Sequence, residues 1–165
     1  MIVKKVGDWA KASALTNALA ITMMSAAKQS LKQVGLYAEG QAKKHMANQD
    51  LPWRKNSPRT LADKRRRGAS LKILHDSTTY FQSITSWQSG LKAYAGVKRT
   101  ATYPASEHGK GGSVHNIART MEFGSVGRHI PARPLWQPVF KETAIYWRKQ
   151  ASPARIAYNK LRGRV

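Results

Sequence analysis

The sequence predicts an α+β fold, in which a long N-terminal helix and several shorter helices accompany a small antiparallel sheet. From about Asp8 to Met46, apolar residues recur at steps of three and four, the spacing of one helical face. Two runs rich in β-branched and aromatic residues, 83–88 and 91–97, flank Ser89-Gly90 and predict a hairpin. Beyond Pro138, apolar steps of four, three and four predict a C-terminal helical segment. A chain of 165 residues is expected to form a single domain.

The apolar stripe of the long helix is rich in alanine and methionine. Small side chains let another surface approach closely, so the helix is suited to a protein core or to a partner protein, and we favour the core. The residues of the stripe are Ala12, Leu15, Leu19, Met23, Ala27, Leu31, Val34, Ala38 and Ala42.

Two polar stretches predict loops. Residues 48–59 have the Asn, Asp, Pro and Ser content of a loop, with Trp53 as the large apolar anchor. Residues 101–113 are rich in small and polar residues and predict a flexible loop after the hairpin.

Residues Ile117 to Pro138 form the most constrained stretch of the chain. Gly124 and Gly127 predict a tight turn, because glycine adopts positive φ without steric cost. Pro131 and Pro134 fix their own φ and push the preceding residues toward extended conformations, so this part is expected to be a stiff, non-helical strap. The strap leads into a helix, where Pro138 is tolerated only in the first turn.

The chain carries 29 Lys and Arg against 8 Asp and Glu, a net charge of +21. Such a surface attracts phosphate or an acidic protein. The dense basic run is Lys64, Arg65, Arg66 and Arg67. It falls in the last turn of a short helix predicted over residues 60–67, where cations complement the helix dipole. The run is therefore either an ordinary solvated face or a docking or DNA-facing patch.

In that short helix, Thr60 is expected to cap the free N–H groups at the start. Asp63 follows three residues later, in the capping-box position.

Several function classes lack support in the sequence. There is no cysteine, which excludes disulfides and thiolate metal sites. The few carboxylates and histidines form no spaced metal-ligand set or catalytic pair, so we expect no enzyme, no metal and no cofactor. The apolar runs are too short and too interrupted for a membrane span or a secretory signal.

Three stretches carry recognisable patterns: Trp53 to Lys64 (WRKNSPRTLADK), Ile73 to Ile84 (ILHDSTTYFQSI) and Ile117 to Leu135. In this order they resemble the phage virion-morphogenesis family of tail-completion or neck proteins of Mu-like and related tailed phages. The sequence departs from the family pattern at Pro58, Thr78, Ile117 and Leu135. The matching residues are Trp53, Thr60, Lys64, Asp76, Ser83, Ile84, Ala118, Glu122, Phe123, Gly124 and Ile130 to Pro134.

The resemblance implies a long helix, within residues 1–46, packed on the small sheet of a core within residues 47–140, followed by a C-terminal helical segment at 141–165. It also implies a non-enzymatic virion subunit, assembled in the host cytoplasm and needed for tail completion and head-tail joining. The subunit would form a ring of about six or about twelve copies at the neck or the head-proximal end of the tail. Its neighbours would be portal or adaptor proteins, or tail-tube and tail-terminator proteins.

Under this resemblance, the strap region is the candidate interface with other subunits or partners. A rigid strap would present Arg128 and Arg133 at little entropic cost. The basic charge would dock on acidic virion proteins or contact packaged DNA through phosphates alone. The candidate interface residues are Glu122, Phe123, Gly124, Arg128, Ile130, Pro131, Ala132, Arg133, Pro134 and Leu135.

The alternative is a basic nucleic-acid-binding protein that acts through phosphate contacts. The net charge alone favours it. The aromatic residues do not alternate with the basic runs as a base-stacking surface requires, which favours the virion subunit.

Overall fold

In the computed structural model of this chain, residues 7–76, 78–104 and 112–163 are described. A 3₁₀ turn at Val126–Arg128 and a π turn at Trp147–Ala151 accompany the main elements. Those ranges hold the helices α1 (Trp9–Asn48), α2 (Pro58–Arg66), α3 (Thr78–Ser83), α4 (Val114–Phe123), α5 (Trp136–Tyr146) and α6 (Pro153–Leu161), and the strands β1 (Ile84–Ser89), β2 (Lys92–Val97), β3 (Thr102–Tyr103) and β4 (Gly112–Ser113).

The predicted α+β fold is confirmed, because α1 packs across a two-stranded antiparallel hairpin. Strands β1 and β2 pair in register from Ile84 opposite Val97 to Ser89 opposite Lys92. The turn between them contains Gly90, as the sequence predicted. Helix and hairpin approach closely at Gly35, where an added Cβ would lie 3.3 Å from the Cβ of Ser86.

A carboxylate joins the helix to the hairpin. Glu39 on α1 accepts hydrogen bonds from the backbone N–H and the hydroxyl of Ser86, at 2.8 and 2.9 Å, and from Lys43 at 2.7 Å. Burial alone would raise the pKa of Glu39, but these hydrogen bonds and the nearby ammonium lower it below its ordinary value of 4.5. The ionised carboxylate therefore stabilises the contact between α1 and β1.

The main core lies where the second half of α1 meets the hairpin, α4 and α5. Its fully buried side chains include Met46, Ile84, Val114, Leu135 and Val139. A smaller apolar contact joins Ala26 of α1 to Ile156 and Ala157 of α6. Helix α1 therefore connects both clusters, and β1, β2, α5 and α6 pack against it.

The expectation that the whole stripe of α1 is core is wrong for its first half. Ala26 is the first fully buried residue of the helix, whereas Leu15, Leu19 and Met23 are exposed. On the N-terminal side of Ala26, Thr22 is half-buried and Ser25 accepts a hydrogen bond from Lys160 at 2.9 Å, whereas the other residues from Trp9 to Met24 are exposed. The stripe is buried only from Ala26 onward, at Ala38 and Ala42 among others.

The short helix predicted over residues 60–67 begins two residues earlier. Ser57 is its N-cap and accepts a hydrogen bond from the N–H of Thr60 at 3.2 Å, so Thr60 is not the cap. Pro58 occupies the first helical position, where its fixed φ suits the helix and its missing N–H has no cost. Asp63 is not part of a capping box; its carboxylate accepts from Arg66 and Arg67 instead.

The C-terminal elements follow the prediction in outline. Pro138 lies in the first turn of α5, and α6 starts at Pro153 after the predicted break. The buried face of α5 contains Val139 and Thr143, whereas Phe140 and Trp147 on the predicted stripe are exposed. None of the described helices has the length and apolar character needed to cross a membrane.

The two ends of the polar loop predicted over residues 101–113 form strands. Its ends form the antiparallel pair β3–β4, with Thr102 opposite Ser113. The middle of this predicted loop, residues 105–111, lies outside the described residues.

We predict that replacing Glu39 with Gln lowers the free energy of unfolding by about 1 kcal/mol at pH 7, because charged hydrogen bonds are lost. The folded-state pKa of Glu39 is lowered, so this contribution is present above pH 4.5 and is lost as the pH falls through the lowered pKa. Urea unfolding at pH 7 and pH 3 measures the difference between wild type and variant. The difference should shrink at pH 3; an equal difference at both values would contradict this role of the charge.

Candidate functional site

The strap, residues Ile130–Leu135, is held against the end of α4 by backbone hydrogen bonds. Ser125 and Ile130 exchange two of them, from the Ser125 N–H at 2.8 Å and from the Ile130 N–H at 2.9 Å. The N–H of Arg133 donates to the carbonyl of Met121 at 2.7 Å. Two prolines and three backbone contacts therefore fix this non-helical segment, as the sequence predicted.

Gly124 is the point at which α4 and the strap come closest. Its φ of +75° lies in the region that favours glycine. A Cβ at this position would lie 2.8 Å from the N of Ala132 and 2.9 Å from the O of Ile130, both of which are backbone atoms. Any side chain at position 124 would therefore push the strap away. Gly127, in contrast, lies in the 3₁₀ turn with open space around it.

Glu122 links the end of α4 to the start of α5. Its carboxylate accepts from the N–H of Leu135 at 2.8 Å and from the N–H of Trp136 at 3.1 and 3.2 Å. These N–H groups belong to the first turn of α5, which lacks a capping bond from the side chain of its own N-cap residue, Leu135. A carboxylate at a helix N-terminus also interacts favourably with the helix dipole. Glu122 thus has a role inside the fold, beside the fully buried Leu135.

The strap is also tied to the loop that follows α1. The indole N–H of Trp53 donates to the carbonyl of Pro134 at 2.8 Å. The guanidinium of Arg133 donates to the carbonyl of Arg54 at 3.2 Å and to the side chain of Asn56 at 3.1 Å. These contacts join the first and third stretches of the family resemblance.

The expectation that the strap presents Arg133 outward is wrong. Arg133 is buried, with 9% of its surface exposed. Burial lowers the pKa of Arg133, and the nearby charge of Arg54 lowers it further. The 54–56 loop accepts hydrogen bonds from two of its three guanidinium nitrogens, so the residue stabilises the strap from inside. Arg128, in contrast, is exposed as expected.

Lys64 is likewise buried and is not part of a surface patch. Its ammonium donates to the carbonyls of Ser70 at 2.9 Å and Lys72 at 2.8 Å, and lies 3.6 Å from the carboxylate of Asp76. Burial lowers the pKa of Lys64, whereas Asp76 opposes that shift. Lys64 therefore holds the loop after α2 and joins the first two stretches of the resemblance.

The rest of the basic run is partly neutralised. Asp63 receives hydrogen bonds from Arg66 and Arg67, both at 2.9 Å, and they lower its pKa. Arg67 also pairs with Asp76 at 3.1 Å. Arg65 is exposed. The run 64–67 is therefore a weaker anion-binding surface than its sequence suggested.

A basic concavity lies between the strap and the 54–58 loop. This cationic cleft has a volume of about 1090 Å³. Its described lining contains no Asp or Glu, and exposed Phe123 and Val126 border it. A wall of one charge sign concentrates the field and attracts anionic groups. The basic residues of the lining are Arg54, Lys55, Arg128, His129 and Arg133.

The cleft brings together residues that the sequence identified and residues that it did not. Phe123, Gly124, Arg128 and the stretch Ile130–Arg133 all contribute to its lining. Arg54 and Lys55 were not predicted as site residues, because they lie in a stretch with the composition of a loop. Their position directly after Trp53, the apolar anchor of that stretch, is the sequence signal that indicates a fixed location.

Another titratable cluster lies at the C-terminal end of α1. The two ring nitrogens of His45 contact Asp50 at 2.6 Å and Glu142 at 3.1 Å. The pKa of Asp50 is lowered by its hydrogen bond with His45. Both ring nitrogens are occupied, so the cluster connects α1 to α5. Among the described residues, no group of three or more His, Cys, Asp and Glu is arranged to hold a metal ion.

Comparison with protein-family models, with curated proteins and with solved structures found no match.

We predict that Gly124→Ala destabilises the fold by about 2 to 4 kcal/mol, because it combines an unfavourable φ with a backbone clash. Gly127→Ala is the matched control, since this glycine has open space around it and no positive φ. It should change stability by less than about 0.5 kcal/mol. Chemical denaturation of both variants checks the difference. Equal stabilities would show that the strap does not depend on close contact with Gly124.

Proposed function

We propose that this chain is a non-enzymatic structural subunit of a tailed-phage virion. In this proposal it forms a ring at the neck or at the head-proximal end of the tail and is needed for tail completion and head-tail joining. The observation that carries the proposal is the meeting of the three family-like stretches in one junction. Lys64 with Asp76 joins the first stretch to the second, and Trp53 with Pro134 joins the first to the third.

That junction is a supporting framework rather than a reaction centre. Its polar side chains donate to or accept from backbone groups of neighbouring segments, as Glu122, Lys64 and Arg133 do. Such contacts keep the strap and the cleft beside it in one fixed geometry. A rigid surface loses little conformational entropy on binding, which suits a contact repeated around a ring.

The cationic cleft is the surface proposed to dock an acidic neighbour, a portal or adaptor protein or a tail-tube protein. Arg54, Lys55 and Arg128 are exposed at the cleft. Charge complementarity of this kind selects the partner and speeds the encounter. A channel wall that held DNA strongly would hinder its passage, which favours protein docking for these cations.

A nucleic-acid-binding protein is the second candidate. The net charge of +21 supports it, since even the loss of the buried and paired cations leaves many exposed ones. A nucleic-acid-binding protein should bind DNA with nanomolar affinity near physiological salt, and the affinity should decrease steeply as salt rises. A virion subunit should bind DNA weakly, and that binding should disappear near physiological salt.

The test is complementation of a deletion of this gene in the phage that we propose to encode it. Full heads beside separate, finished-looking tails are the expected result of the deletion in negative-stain images. Wild-type protein should restore joined particles. The cleft variant Arg54→Glu/Arg128→Glu should restore at least about tenfold fewer, because reversed charges repel an acidic partner. Lys92→Glu/Arg148→Glu, with the same charge change at exposed sites outside the cleft lining, should restore them fully.

Normally joined particles after the deletion would contradict the virion role. Equal failure of the cleft and control variants would contradict the docking role of the cleft. The loss of joined particles would then follow from the change in total charge, not from its position. In that case, salt-dependent DNA binding by the purified protein would favour the second candidate.

A further inference from the structure

A small chamber lies between α2, residues 74–76, α4 and the strap. Its volume is about 200 Å³. One water molecule needs only about 15 Å³ of cavity volume, so the chamber has room for a polyatomic ion. Thr60 and Arg67 in its lining are exposed, so solvent reaches it. We call it the inner chamber, and its polar lining includes Thr60, Lys64, Arg67, His75, Asp76 and Arg133.

The guanidinium of Arg133 is a buried cation that forms no ion pair with any described carboxylate. Two of its nitrogens donate to oxygens of the 54–56 loop. The third, Nη1, has the Sδ of Met121 at 4.0 Å, and a thioether is a weak acceptor. Met121 and Arg133 both line the inner chamber. A buried charge is costly without an opposite charge nearby, so Arg133 has a donor and a charge that suit an anion in the chamber.

His75 brings a second unsatisfied group to the chamber. Its Nδ1 is buried and has no hydrogen-bond partner in the described part of the chain. The ring packs edge-on against Phe81, with centroids 5.6 Å apart, which fixes its orientation. Burial lowers the pKa of His75, and the charges of Lys72 and Lys64 lower it further. The ring is therefore neutral at pH 7 and above, and Nδ1 offers either an N–H or a lone pair.

Positive charge exceeds negative charge around the chamber. Its lining contains three cations, Lys64, Arg67 and Arg133, and one carboxylate, Asp76. Lys64 and Arg67 already share Asp76, at 3.6 and 3.1 Å. Asp63 pairs with Arg67 from outside the lining, but it is shared with a further arginine. The surroundings therefore keep an excess of two positive charges, which a dianion neutralises.

We propose that the inner chamber binds a phosphate group. A guanidinium recognises phosphate oxygens through charged hydrogen bonds in a fixed planar geometry, and Nη1 of Arg133 supplies such a donor from the strap. Nδ1 of His75 pairs with an oxygen or with a hydroxyl of the same group. Lys64 contributes charge alone, because the carbonyls of Ser70 and Lys72 accept from its ammonium. A carboxylate side chain carries one charge and would leave the second uncompensated.

The phosphate site differs from the cationic cleft, although Arg133 lines both. The exposed cations of the cleft, Arg54 and Lys55, are absent from the lining of the chamber. A bound phosphate connects the strap to residues 74–76 and stabilises the folded chain by mass action. This site does not depend on the proposed virion role.

Titration calorimetry of the full chain with inorganic phosphate tests the proposal, at pH 8 and constant ionic strength. We expect saturable 1:1 binding. Acetate, which carries one charge, should bind at least about tenfold more weakly. A nucleoside monophosphate presents the same group as an ester. Tighter binding of this ester than of inorganic phosphate would identify an ester as the ligand, and weaker binding would identify the free anion; both results support a phosphate site.

Two variants with matched controls locate the bound phosphate. His75→Phe removes Nδ1 but keeps an aromatic ring, and should weaken binding at least about fivefold. His115→Phe, at a half-buried histidine outside the chamber lining, should bind as the wild type does. Arg133→Gln should weaken binding at least about tenfold, because a charged donor is lost. Arg54→Gln removes the same charge from the cleft and should change the dissociation constant less than about twofold.

Arg133→Gln also removes contacts that hold the strap, so circular dichroism checks its folding. His75→Phe leaves those contacts in place and decides the question if Arg133→Gln unfolds. Absence of saturable phosphate binding, acetate binding as tight as phosphate binding, or unaltered binding by His75→Phe would overturn the proposal. So would equal losses in Arg54→Gln and Arg133→Gln, which would place the anion in the cleft. None of these results depends on the phage complementation, so either proposal can fail alone.

Discussion

The carboxylate of Glu122 is the contact that joins the end of α4 to the end of the strap and the start of α5. It accepts from the N–H groups of Leu135 and Trp136, where the strap ends and α5 begins. The next residue but one, Gly124, lets the strap lie against α4 with no side chain between them. Phe123 lies between Glu122 and Gly124 in the sequence. Its side chain is largely exposed and borders the cationic cleft. Internal hydrogen bonds thereby hold the backbone on both sides of an exposed aromatic side chain.

The strong positive charge of the chain is divided between internal and external roles. Lys64 and Arg133 are buried and bound to backbone carbonyls, and Arg67 is shared by Asp63 and Asp76. These cations stabilise loops and contribute little to the surface field. The exposed cations of the cleft remain available to an acidic neighbour, whereas residues 9–25 of α1 carry one charged side chain, Lys11. Exposed positive charge is therefore present at the cleft and nearly absent from the N-terminal half of α1.

The regular elements could be predicted from the sequence, because they follow from local rules. The spacing of apolar residues indicated α1, Ser89-Gly90 indicated the hairpin, and Pro138 marked the first turn of α5. The burial of Lys64 and Arg133 could not be predicted, since their carbonyl partners come from loops that only the fold brings near. The first half of α1 shows the same limit. Its apolar spacing equals that of the packed half, and periodicity does not reveal whether the fold brings another surface against it.

The central claim is that Glu122 and Gly124 hold the strap against α4 and α5 in one fixed geometry, with the cationic cleft beside it. Hydrogen exchange measured by mass spectrometry on the wild type and on Glu122→Gln tests it directly, because amide protection reports local opening. Peptides covering residues 129–137 should exchange faster in the variant. Peptides covering residues 34–46, packed in the core, should change little. Equal protection of residues 129–137 in the two proteins would contradict the account.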